Sequence, residues 1–203
     1  MSKGTKVLFL SAALAAFLLP AAAQDSTNTP ASKPQTIQQR KENQQDRIAN
    51  GVQSGQLTAG ETKNLERKES NLNREEKLMR SEDNGHLTGA DRKALNQQQN
   101  QLSRQIYKDK HNAAVQNTDP KSEVGQRQRN QQERIAQGIQ SGQMTSEEAA
   151  RAERHETAVN KELHNDRAAN GGRLTQAERQ QINKQQNRNS KMIYNEKHNG
   201  RHQ

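Results

Sequence analysis

Apolar positions along this chain are few and regularly spaced. Beyond a first apolar run at 7–19, Leu65, Leu72 and Met79 fall seven residues apart, and Leu95, Leu102 and Ile106 continue the series. Spacing by seven with polar residues between draws a narrow stripe on one helix face, nearer a coiled-coil seam than a wide globular face. The intervening residues are mostly Gln, Glu, Lys, Arg and Ala, which favour or tolerate helix. The pattern predicts an all-α protein with helices at about 36–52, 58–82, 88–114, 122–139, 145–168 and 175–199.

The boundaries come from one recurring element, Gly-x-Leu/Met-Thr-x-x-Glu/Asp, present at 55–61, 85–91, 142–148 and 172–178. Its glycine permits the positive φ that ends a helix, and its Leu or Met is placed as a hydrophobic staple. Thr58, Thr88, Thr145 and Thr175 are N-cap candidates, with Glu61, Asp91, Glu148 and Glu178 three residues on. The hydroxyl takes the backbone N–H at that third position, and the acid returns to the N–H of the cap and suits the positive end of the helix dipole. Each element therefore marks one helix ending and the next beginning.

Sliding the chain by 87 residues aligns 40–112 with 127–199 without a gap, at about half the positions identical. NQQDRIANGVQSGQLT meets NQQERIAQGIQSGQMT, and QQNQLSRQIYKDKHN meets QQNRNSKMIYNEKHN. A weaker offset of 30 residues lies inside each copy. This is a tandem duplication of helical-hairpin units. The expected organisation is a signal peptide at 1–23, a flexible linker at 24–35, repeat one at 36–112, a linker at 113–121, repeat two at 122–199 and a tail at 200–203. The termini and linker are expected to be partly disordered, the linker leaving the copies free to move independently. Copy two is expected to be the less well folded, because Ala152, Asn165, Asp166 and Asn189 replace Leu65, Leu78, Met79 and Leu102.

Composition changes the picture in two ways. Lys3 and Lys6, the apolar run and the small residues at 20–23 form a secretory signal with cleavage expected after Ala23, so the mature chain is placed in the periplasm or outside the cell. The apolar run is too short to span a bilayer, and nothing after it is apolar enough. What remains has 30 basic against 23 acidic residues, no cysteine, and Tyr107 and Tyr194 as its aromatics. So little apolar mass gives a sparse core, and self-association is the expected support. A basic balance favours anionic envelope surfaces, whereas two tyrosines make no stacking platform for specific nucleic-acid recognition.

Chemistry is scarce. The Gly-x-Leu-Thr-x-x-Glu element resembles the second half of an EF-hand loop, but Arg80 and Arg167 stand where ligands should begin, and calcium needs six or more oxygens. Among six histidines, His198 and His202 form the best i, i+4 pair for a metal, with Gly200 between them. No phosphate loop, His-Glu-x-x-His motif or nucleophile elbow is present. The expectation is a protein without catalytic residues or cofactor. Tyr107 and Tyr194 read as local anchors packing the last helix of each copy onto its neighbour.

With the signal peptide, the basic cysteine-free helices and the Leu-Thr starts at Leu57-Thr58, Leu87-Thr88, Met144-Thr145 and Leu174-Thr175, the chain resembles the periplasmic Spy/CpxP-like proteins with their LTxxQ motif. Glu or Asp stands where that family has Gln. The resemblance implies a small helical stress protein with a chaperone or metal-response role. The reading is an exported, non-enzymatic helical binding protein, chaperone-like or envelope-associated, holding protein segments or an anionic surface in weak apolar grooves lined by Leu65, Leu72, Leu95 and Leu102. The alternative is a metal-responsive module built on the degenerate EF-hand-like loops or the histidines.

Overall fold

Every helix among the described residues opens on a hydroxyl side chain that takes up a backbone N–H. The structure, a computed structural model, describes residues 35–116, 118–119 and 121–202. The signal peptide and most of the first linker lie outside the described residues. The described chain is all-α, in the order α1 (Ile37–Gln53), α2 (Ala59–Glu82), α3 (Gly89–Lys110), α4 (Glu123–Gln140), α5 (Ser146–Ala169) and α6 (Gln176–Lys197). Thr36, Thr58, Thr88, Thr145 and Thr175 close reciprocal capping boxes with Gln39, Glu61, Asp91, Glu148 and Glu178, and Ser122 caps α4 through the N–H of Gly125. Gly55, Gly85, Gly142 and Gly172 hold positive φ in the turns before the boxes. No helix among the described residues is long and apolar enough to cross a membrane.

Residues 35–203 make one compact unit. α3 packs on α1 and α2 of its own copy, and α6 on α4 and α5. The broadest contacts lie between copies, where α2 meets α5 and α1 meets α4. Like helix therefore meets like helix, as in the isologous contact of a two-fold dimer. One apolar cluster spans both copies, including Ile48, Leu65, Leu72 and Ile106 from the first and Ile135, Met144, Ala152 and Ile193 from the second.

This packing bears on three expectations. The two copies pack into one unit and do not sit as independent bodies, and the joining segment is bonded to copy one at Gln116. Gln116 gives its N–H to the Gly55 carbonyl at 3.0 Å, and its side chain accepts from the Ala59 N–H at 2.9 Å. Asp119 lies so close to Gly125 that a Cβ there would stand 1.9 Å from its carbonyl oxygen. In copy two the small residues at Ala152 and Asn189 are partly offset, because Leu163 stands where copy one has Glu76 and joins Val124, Val159 and Ile182 in a second buried cluster. Finally, Leu65, Leu72, Leu95 and Leu102 are all buried, and the shallow surface depressions that Leu65, Leu72 and Leu102 reach are lined mostly by polar side chains such as Lys68, Asn71 and Gln105.

Candidate functional site

At the α2–α5 contact the stripe that should be apolar carries acids. Glu66 and Glu69 lie one turn apart on α2, and Glu153 and Glu156 are their counterparts on α5. Residues three apart share a helix face, and the same face bears Leu65 and Leu72. Consequently the glutamates are carried inward with the leucines: Glu66, Glu69 and Glu153 are 0% exposed and Glu156 is 1%.

Few donors reach them. Gln45 of α1 donates its amide to Glu66 Oε2 at 3.3 Å and to Ser146 Oγ at 3.5 Å, and Gln132 of α4 donates to Glu153 Oε2 at 2.9 Å. Asn189 of α6 donates to Glu156 Oε1. Both oxygens of Glu69, Oε1 of Glu66 and of Glu153, the side-chain carbonyls of Gln45 and Gln132, and Oδ1 of Asn189 are buried without a partner. All of these are acceptors. The site is short of hydrogens rather than short of oxygens, and a protonated carboxyl is a hydrogen-bond donor.

Burial acts in the same sense, because a low-dielectric site disfavours the charged form of an acid. Burial, reinforced by repulsion from Glu69, pushes the Glu66 carboxyl up to about 8 against hydrogen bonds from Gln45 and Ser146. Burial also raises Glu69 to about 7 against the Lys41 charge and the nearby Gln45 amide, which lies outside hydrogen-bond geometry to it, and Glu156 to about 8 despite the Asn189 hydrogen bond. Glu153 is held well above the usual carboxylate range by burial, with Glu156 and Glu66 adding repulsion against the Gln132 hydrogen bond. Glu66 thus feels Glu69 within its own helix, and Glu153 feels Glu66 across the seam. The four carboxyls form one interacting group.

A second constellation links the two repeated motifs. Asn112 donates to Glu61 Oε1 at 2.6 Å, and Asn199 donates to Glu148 Oε1 at 2.7 Å. The acid that caps the second helix of each copy is thereby gripped by the asparagine that ends the third. His111 and His198 are the C-cap residues of α3 and α6, and each ring Nδ1 lies 2.7 Å from the carbonyl of Tyr107 or Tyr194. Each tyrosine stacks on its histidine with ring centroids 4.1 and 4.2 Å apart. Tyr107 and Tyr194 remain 62% and 56% exposed, so they cover their own helix ends instead of anchoring them to a neighbouring helix.

The metal candidates are dispersed by this geometry. His202 lies beyond the end of α6 at Lys197, past Gly200 with φ +72°, so it shares no helical face with His198. The acids of the EF-hand-like loops are engaged in their capping boxes. Among the described residues no three His, Asp or Glu side chains group in a way that could hold a metal ion.

The glutamate cluster escaped the sequence reading because a Glu-x-x-Glu pair in a polar helix looks like a solvated face. One signal was available: Glu66 and Glu69 fall inside the Leu65–Leu72 stripe, and both copies keep the pair where neighbouring positions changed. No family model matches the chain, and no curated protein or solved structure matches it.

Proposed function

We propose that this is an exported, non-enzymatic helical binding protein of the cell envelope, chaperone-like, which holds segments of other proteins on the surface where its two copies meet. The observation that carries this reading is the character of the seam. Its apolar strip, with Leu65, Leu72, Ala149 and Ala152, is interrupted by four buried carboxyls. An interface of pure leucine would be held by burial alone, at about 25 cal/mol per Å². Buried polar groups that lack partners each cost about 1–3 kcal/mol, so this interface is weakened from within. A weak contact between covalently joined copies suits a surface that must be uncovered to act. The net positive charge adds attraction toward anionic envelope surfaces.

The test is suppression of light scattering by a reduced, unfolding secreted protein, with the mature chain added at pH 7.5 to 8.5. A lower aggregate signal at equimolar ratio is expected. Unchanged scattering at a tenfold excess of the chain would refute the chaperone-like reading.

A further inference from the structure

We propose that Glu66, Glu69, Glu153 and Glu156 form a proton-operated latch, which closes the two copies on each other when protonated and lets them part when the carboxyls lose their protons. The inference deepens the binding reading above and rests on it for its purpose, since it states what uncovers the Leu65, Leu72 and Ala152 surface. Its structural claim stands by itself.

The charge balance of the seam decides the direction. α2 brings Glu66 and Glu69, and α5 brings Glu153 and Glu156 with Ser146 at its start. From α1 come Gln45 and Lys41, from α4 Gln132, and from α6 Asn189. Lys41 is also bound to Glu76 at 3.3 Å, so its charge is already shared. At the position equivalent to Lys41, copy two has Gln128, which brings no charge. Four ionised carboxylates would therefore face each other across a buried contact with one shared cation nearby. Buried like charges of that kind are not held together.

Protonation removes that conflict and meets a second one at the same time. Each carboxylic acid places a hydrogen among oxygens that now lack one, including the Gln45 and Gln132 side-chain carbonyls. On deprotonation each acid gives its proton to solvent, and the remaining carboxylate must reach water. The route is separation of the two copies, α2 from α5 together with α1 from α4, because the caps of each helix and its packing on α3 or α6 lie within one copy. The joining segment allows it once the Gln116 bonds to Gly55 and Ala59 are released: the residues between Lys110 and Glu123 can then extend over roughly 40 Å.

The direction of the linkage follows from the unfolded and folded values. A carboxyl of ordinary value 4.5 that is raised to about 7 or 8 in the closed form favours closure fully below 4.5 and loses that contribution as the pH climbs through the folded value. Closure belongs to the acid side and opening to the neutral-to-alkaline side. An exported protein meets the external pH more directly than a cytoplasmic one.

The experiment uses the mature chain with nitroxide labels on Leu78→Cys and Asn165→Cys, equivalent exposed positions in a chain that has no cysteine of its own. Label distances by pulsed electron resonance and helix content by circular dichroism are followed from pH 5 to pH 9. The expected result is a narrow distance at pH 5 that lengthens and broadens by roughly 10 Å or more, within the reach of the joining segment, at a midpoint between pH 7 and 8 with helix content retained. In Glu66→Gln/Glu153→Gln the midpoint moves upward by a pH unit or more, and Glu156→Gln provides the same readout should the double variant not fold. An unchanged distance at pH 9, a separation that coincides with loss of helix, or an unshifted midpoint in every Gln variant that folds would each overturn the latch. A chain that opens as described and still fails to suppress aggregation would sink the binding function and leave the latch standing.

Discussion

Gly51 offers a sharp test of the packing because the duplication supplies its own control. Gly51 lies in the last turn of α1, and the chain reverses there so that Leu57 folds back over it, its N–H bonded to the Gly51 carbonyl at 3.0 Å. A Cβ at position 51 would meet Leu57 Cδ1 at 2.6 Å and Cγ at 2.7 Å. Carbon atoms at rest keep about 3.5–4.0 Å, so close to an ångström must be recovered. Leu57 is fully buried and its backbone leads directly into the Thr58 capping box, which leaves little freedom to retreat. Overpacking of this kind costs about 1–3 kcal/mol, against about 1 kcal/mol gained by replacing a helical glycine with alanine. Gly51→Ala is therefore expected to destabilise by about 1 kcal/mol, a fall of about 2–4 °C in Tm for a domain of this size. At Gly138 the same Cβ would meet Met144 Sδ at 2.6 Å and Cγ at 2.7 Å. Methionine has an additional rotatable bond and adapts to such intrusions, so Gly138→Ala should lie within about 0.5 kcal/mol of the parent chain. The assay is thermal and urea unfolding by far-UV circular dichroism at pH 5, where the seam carboxyls are neutral. Gly51→Ala/Leu57→Met, which imports the methionine of copy two, should recover most of the loss. A Gly51→Ala chain as stable as its parent, or a Gly138→Ala chain that is the worse of the two, would refute the packing argument.

Four further outcomes are expected. Between pH 5 and pH 8 the melting temperature should fall, because the raised glutamates keep their protons in the folded form after the unfolded form has ionised, and Glu156→Gln should make that slope shallower; a flat profile would contradict it. Gly125→Ala drives a Cβ into the Asp119 backbone and should release the joining segment, seen as at least tenfold faster proteolysis between α3 and α4 with the helices intact. Thr58→Ala and Thr145→Ala should each cost about 1 kcal/mol in urea unfolding through loss of the cap. Calcium or zinc added after EDTA treatment should leave helix content and Tm unchanged, since the loop acids are engaged in capping; a rise in either would favour the metal-responsive reading.

What this sequence determined alone was local. A capping box closes within three residues, a positive-φ glycine acts on its own turn, and a shift of 87 residues can be counted directly, so the helices fall within a few residues of their expected places. α3 is the exception, ending at Lys110 because His111 caps it and Asn112 turns to Glu61. Tertiary packing decided the rest. Whether Glu66 faces water or a second carboxyl depends on α1 and on α5, the latter some 80 residues away, and nothing within one turn of Glu66 records that. Exposed Tyr107 and buried Glu69 invert what their side chains suggest for the same reason. Side-chain chemistry sets the cost of burial, and only the assembled neighbours decide which groups are buried.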